Sequence, residues 1–148
     1  ANNTINTASI VVNGFVGISS APINIINSYA AGSISAIPVE SDFGTTNFMA
    51  GLVLMTSGNA TVTNSFSHIA MPSLPGQYAV GLIMSAGGTA DMQSSYFDAD
   101  QAGTTACGLS IMDLNTPDIN CNIISGQPNY FKNNSVNPPL DQWDFTDV

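Results

Sequence analysis

Few side chains in this chain could do chemistry. His68 is the single histidine, Lys132 is the single cation, and there is no arginine. Ten acids complete the charged set and leave a formal net charge of −9. Acid–base catalysis needs positioned titratable groups, and a Ser-His-Asp site drawn through His68 has no nucleophile-elbow motif behind it. Asp98, Asp100 and Asp91 are carboxylates of the kind that cleave polysaccharides, but Lys132 alone could face an acidic sugar. Asp98-x-Asp100-x-x-Gly103 is half of a calcium loop, in which a hard cation takes oxygen ligands from alternate positions. Ala102 stands where a further ligand belongs, and no glutamate comes at the required distance. The segment reads first as a turn, with calcium at Asp98 and Asp100 left as a test. Cys107 and Cys121, 14 positions apart, admit three states: a disulfide, two buried thiols or half of a metal site. No nearby His or third Cys completes the last of these. No other cofactor is expected, and the chain reads as a non-enzyme.

The totals exclude several partners. Nucleic-acid binding rests on clustered Lys and Arg, which are missing, and the same lack disfavours anionic membrane surfaces. No apolar run approaches the roughly 20 residues that span a bilayer. Only 7% of residues are charged while 44% are hydrophobic, so polarity comes from Asn, Ser, Thr and Gln. A patterned hydrophobic content of that size supports a core in a chain of 148 residues.

What could position these groups is a repeat. From Gly14 to Tyr29, from Gly51 to Phe66 and from Gly81 to Tyr96 the interval is the same 15 positions. Each copy opens with Gly and an apolar run (GFVGI, GLVLM, GLIMS). Each crosses a small-residue turn (SSAP, TSGN, AGGT) and closes on a Ser-aromatic pair (NSY, NSF, SSY). Fixed spacing of this kind marks stacked supersecondary units. Runs of 5 to 7 residues with β-branched content predict two short strands per copy, at 14–18 and 23–29 in the first. Stacking the copies aligns Val16, Val53 and Ile83, then Ile25, Val62 and Met92. It also makes an aromatic column of Tyr29, Phe66 and Tyr96 beside a polar one of Asn27, Asn64 and Ser94.

The repeat resembles the GLUG motif of bacterial surface proteins, named for a Gly-Leu-x-Gly opening with an Asn-Ser-aromatic segment after it. The first copy keeps both glycines, Gly14 and Gly17, whereas Leu54 and Met84 replace the second glycine in the others. SYFDADQAG at 95–103, a Leu-x-x-x-Asp-Leu segment near 109–114 and YFKNNSVNPPLDQWDF at 130–145 resemble the region C-terminal to the last repeat in such proteins. The resemblance implies an extracellular, cell-surface repeat protein, often part of an adhesin, without catalytic activity. In that compartment Cys107 and Cys121 are expected as a disulfide.

The expected fold is all-β: a short parallel β-solenoid of about three rungs over 1–96, with an irregular C-terminal cap over 97–148. Ser110 and Asp113 have capping-box spacing and predict a short helix ended by Pro117. The aromatic tail is expected to fold over the last rung. Residues 1–13 look like the end of an earlier repeat, so the chain is expected to begin inside the repeat series with an uncovered first rung. Two functions are compatible with this organisation. In one, the chain is a structural module that stacks with copies of itself or with neighbouring repeats into a filament or stalk. In the other, it is an adhesin that binds a cell-surface glycan or protein through the excursions at 39–48 and 72–78, where Glu40, Asp42, Phe43 and Tyr78 are the candidate ligand residues. A polysaccharide-active enzyme is the remote third.

Overall fold

A computed structural model describes residues 2–7, 11–13, 16–36, 47–74, 76–118, 120–132 and 137–143. Strands β1 (Asn2–Thr7) and β2 (Val11–Asn13) precede the first copy. That copy supplies β3 (Val16–Ser19) and β4 (Ile23–Ile26), and its aromatic residue opens β5 (Tyr29–Ala36). The second cycle runs β6 (Asn47–Ala50), β7 (Val53–Thr56), β8 (Ala60–Thr63) and β9 (Phe66–Ala70). The third runs β10 (Gln77–Val80), β11 (Ile83–Ser85), β12 (Ala90–Gln93) and β13 (Tyr96–Asp98). Helix α1 (Ala99–Ala102), β14 (Gly108–Ser110), β15 (Asp113–Asp118) and β16 (Asn122–Ile124) come next. Single 3-10 turns at Tyr130–Lys132 and Leu140–Gln142 close the described chain.

The strands divide among four small sheets. Sheet I is ordered β1-β5-β9-β13-β16, sheet II β2-β6-β10, sheet III β3-β7-β11-β14-β15 and sheet IV β4-β8-β12. All pairings are parallel except β14 with β15. The expected columns are present: Val16, Val53 and Ile83 are partners in sheet III, and Ile25, Val62 and Met92 in sheet IV. In sheet I, Tyr29, Phe66 and Tyr96 are partners.

The single short β-solenoid of about three rungs is not what forms. Two sheets have five strands and two have three, and none continues into the next. The reason is strand length: most strands hold 3 to 5 residues before a bend ends the ladder. Nor is 97–148 an irregular cap. Its β14 and β16 extend sheets III and I in parallel, and β15 folds back antiparallel on β14. The helix expected from Ser110 and Asp113 is also absent. Ser110 ends β14, whose register on Ile83–Ser85 is imposed by the neighbouring strand. The first-copy strand expected over 23–29 stops at Ile26, and Tyr29 belongs to another sheet.

The bend that separates them explains the Asn-Ser-aromatic signature. Asn27, Asn64 and Ser94 all take left-handed backbone, with φ of 48°, 49° and 46°. Asn tolerates this region better than most residues with a side chain, because its short amide can bond locally. Asn64 Nδ2 donates to Asn27 Oδ1 at 2.7 Å, tying two bends together. The next residue fixes the turn: Ser28, Ser65 and Ser95 each donate from Oγ to the carbonyl two residues earlier. Ser65 Oγ also accepts the backbone N–H of Ser28 at 3.1 Å.

The unbroken apolar runs have a different cause. The inner faces of all four sheets meet in one core, which takes Met49, Val53, Ile83, Val62 and Phe97. Alternate neighbours Ala50, Leu54, Val80 and Met84 face away into a second cluster with Leu109. Both faces of β7 and β11 are therefore buried, and strands buried on both sides read as continuous hydrophobic stretches. The opening glycines serve this packing. A Cβ on Gly81 would enter the ring of Phe97, and one on Gly51 would meet Ser67 and the Gly81 carbonyl.

Candidate functional site

The aromatic column is a dressed surface rather than a bare one. Tyr29 stacks on Phe66 at 5.2 Å, and Phe131 stacks on Phe66 at 4.5 Å with the rings 3° from parallel. Trp143 lies 6.1 Å from Tyr29 and 5.7 Å from Phe66, and its Nε1 donates to the Asn64 carbonyl at 3.1 Å. Tyr130 covers Tyr96 at 6.3 Å. The tail thus runs back along sheet I from the third copy to the first, instead of folding over the end of the repeats. Stacked and tilted rings at these separations stabilise beyond their burial alone.

This docking has a pH signature. Burial pushes the Tyr96 phenol above its ordinary value, with Asp141 adding to it; burial, then Tyr96, then Asp141 do the same to Tyr130. A raised folded-state value means that the folded chain holds the proton longer. The contribution is complete below the unfolded value and is lost as pH rises through the folded one. The urea midpoint is expected to hold to about pH 9 and to decline above about pH 10. Tyr130→Phe should flatten that decline, and an unchanged alkaline limb would refute the assignment.

Cys107 and Cys121 form a disulfide with Cα atoms 6.0 Å apart. Their loop encloses β15, and Cys107 N donates to the Asp118 carbonyl at 2.8 Å, so hairpin and bridge close the same edge of sheet III. Restraining a loop of about 15 residues stabilises by roughly 3 kcal/mol. Reduction, or Cys121→Ser, is expected to lower the unfolding free energy by about that amount in paired denaturant titrations.

Asp98 and Asp100 sit side by side at α1 with their oxygens already engaged. Asp98 is the N-cap: its Oδ1 accepts from the N–H groups of Asp100 and Gln101 at 3.0 and 3.1 Å. The segment expected as a turn is therefore one capped helical turn, ended by Gly103 in left-handed conformation. Asp98 Oδ2 lies 2.9 Å from His68 Nδ1, within ion-pair distance, and among the described residues that buried nitrogen has no hydrogen-bond partner. Asp100 accepts from Ser125 Oγ at 2.7 Å and from Gly126 N at 2.6 Å, which together hold its carboxyl below the usual range. Among the described residues no group of three or more His, Cys, Asp or Glu could hold a metal ion. His68 meets Asp98 and the edge of Phe131 at 6.0 Å, and among the described residues no nucleophile bonds to its ring.

Of the ligand residues expected from the excursions, Glu40, Asp42 and Phe43 lie outside the described residues, as does Gly14 of the repeat set. Tyr78 is described, and it lines an open groove of about 420 Å³. Met71 and Leu74 form one wall and Thr104, Leu109 and Leu114 the other, with the strand Gln77–Ala79 as floor. Gln77 Oε1 accepts the Leu74 N–H at 2.6 Å and so shapes the Pro72 loop into that wall. Among the described residues no charged side chain lines the groove. Tyr78 itself stacks on Phe48 at 5.7 Å. The far wall was not expected from sequence, because its residues come from the tail.

A second feature is the end of the sheets nearest the N terminus. Among the described residues, strands β1, β2, β3 and β4 are the outermost strands of sheets I, II, III and IV in turn, so four strand edges without a described partner come from the first 26 residues. Ile18 on β3 and Ile26 on β4 are 74% and 53% exposed. At the opposite end, the antiparallel β15 and the disulfide cover sheet III. Among the described residues no helix is long and apolar enough to cross a membrane. Comparison with protein-family models, curated proteins and solved structures finds no match for this chain.

Proposed function

We propose that this is a non-catalytic, extracellular structural module, joined end to end with further copies or neighbouring repeats in a filament or stalk. The observation that carries the reading is the set of four strand edges at β1 to β4 that have no partner among the described residues. Unpaired edges present rows of N–H and C=O groups, which natural proteins blunt with charge, proline or cover. Within residues 1–26 the sequence supplies neither charge nor, inside the strands, proline: the first charged residue is Glu40, and the first proline is Pro22, just outside β4. Exposed Ile18 and Ile26 add apolar surface at the same end. The disulfide supports an extracellular setting, since such bonds persist in oxidising compartments. Electron microscopy with light scattering on the purified chain tests the reading. Filaments or defined end-to-end oligomers are the expected result, and a stable monomer at high micromolar concentration would overturn it.

A further inference from the structure

The groove beside Tyr78 is the place of a strand that sheet II lacks. Among the described residues, sheet I carries five strands and sheet III four parallel ones, but sheet II stops at β10 after three. Where a fourth would run, the chain instead makes α1 and the loop through Thr104, and neither pairs with β10. The exposed side of β10 can be identified from its partners. Gly76 and Val80 direct their carbonyls to β6, accepting from Asn47 and Gly51 at 3.0 and 3.2 Å. Backbone groups alternate sides along a strand. Gln77 and Ala79 therefore turn their N–H and C=O toward the groove. Gly81 confirms the alternation, because its N–H donates to Ala106 at 2.8 Å on that same side.

We propose that a second copy of this chain donates residues 11–13 as a strand to that edge, so that sheet II of one molecule gains its fourth strand from the next. The proposal rests on the end-to-end reading above and names the surfaces that meet. Residues 11–13 form β2, the strand that already closes sheet II at its other end. There Val11 stands opposite Phe48, and Phe48 opposite Tyr78. In the same parallel register, Val11 of the second copy falls opposite Tyr78, with Leu109 and Leu114 beside it in the groove wall.

Charge selects the same occupant. The groove is lined by apolar and neutral polar side chains, and burying a charge there would be costly. Residues 1–39 contain no Asp, Glu, Lys or Arg, whereas eight of the ten acids lie from Asp91 onward. An uncharged segment can approach this acidic half without repulsion.

The step between sheets determines how the strand arrives. At the groove end sheet I carries β16 and sheet III carries β14 beyond the cycle that holds β10, a step of about 5 Å at the usual strand spacing. A whole flush end cannot seat against such a step, so the N-terminal segment is donated on its own. The contact is heterologous, with a different surface on each molecule, and it generates open chains rather than closed dimers.

The test is a titration of the full chain with a synthetic peptide of residues 1–13, read by backbone amide resonances and run alongside electron microscopy. Saturable shifts are expected at Gln77, Ala79 and Leu114, and none with a scrambled peptide. Ala79→Pro removes one groove-facing N–H and leaves the β6 ladder intact, because proline is tolerated on an edge facing outward. It should weaken the peptide by about tenfold or more and shorten filaments, as should Leu114→Glu from the wall. Filaments that persist with either folded variant would overturn the donated strand but not end-to-end assembly. Peptide binding without filaments would keep the edge site and sink the assembly reading. Shifts with neutral oligosaccharides and none with the peptide would make the groove a glycan site and overturn the proposal.

Discussion

Gly81→Ala should be among the most damaging single-methyl changes in this chain. Its new Cβ would occupy the ring of Phe97, a side chain with no solvent exposure at all. A ring held between sheets cannot slide away, and overpacking of this kind costs about 1–3 kcal/mol, with the upper end expected here. The backbone offers no relief, because Gly81 donates to Ala106 and its carbonyl faces the position above Gly51. Urea titration should show a midpoint well below wild type with an unchanged slope. The double variant Gly81→Ala with Phe97→Leu should recover part of the loss, since the two positions share one volume and are not additive. No recovery would mean that the glycine is required for backbone reasons.

Phe66→Ala should cost about 3–5 kcal/mol, the range for removing a buried aromatic side chain. Phe66 is 5% exposed and is the one ring in the column that touches Tyr29, Phe131 and Trp143 together. Its removal undermines the tail as well as sheet I. Trp143, the single tryptophan, reports this directly: its emission should shift to the red as the ring loses its neighbour. Tyr29→Ala, at a position 39% exposed, should cost clearly less. Equal losses at the two positions would show that the column is only surface decoration.

Position-by-position alignment of the copies makes Tyr29, Phe66 and Tyr96 readable as one column, because parallel register carries each residue onto its equivalent. The same alignment holds a signal that a residue-by-residue reading misses. With Phe66 on Tyr96 and Ser67 on Phe97, His68 falls beside Asp98, which is where the structure puts it. Asp98 with Gln101 also has capping-box spacing, and it is this pair, not Ser110 with Asp113, that opens a helix. The second pair misleads because β14 is fixed by contact with β11, and tertiary pairing overrides a local cue. The division into four unequal sheets could not be read from periodicity, which gives the strands but not where each ladder stops. The groove was hidden for a related reason: it exists where a strand is missing from sheet II, and no residue pattern announces an absence.

The path of the tail bears on how many copies the chain can contain. Tyr130 meets the third copy, Phe131 the second, and Trp143 reaches both the second and the first. A tail of fixed length that must touch all three acts as a ruler for the array. Duplicating or deleting one copy would shift every ring out of step with its mate, so gains and losses of repeats would have to be matched by changes in tail length. Length variation, ordinarily cheap in stacked repeats, is here constrained by the segment that comes after them.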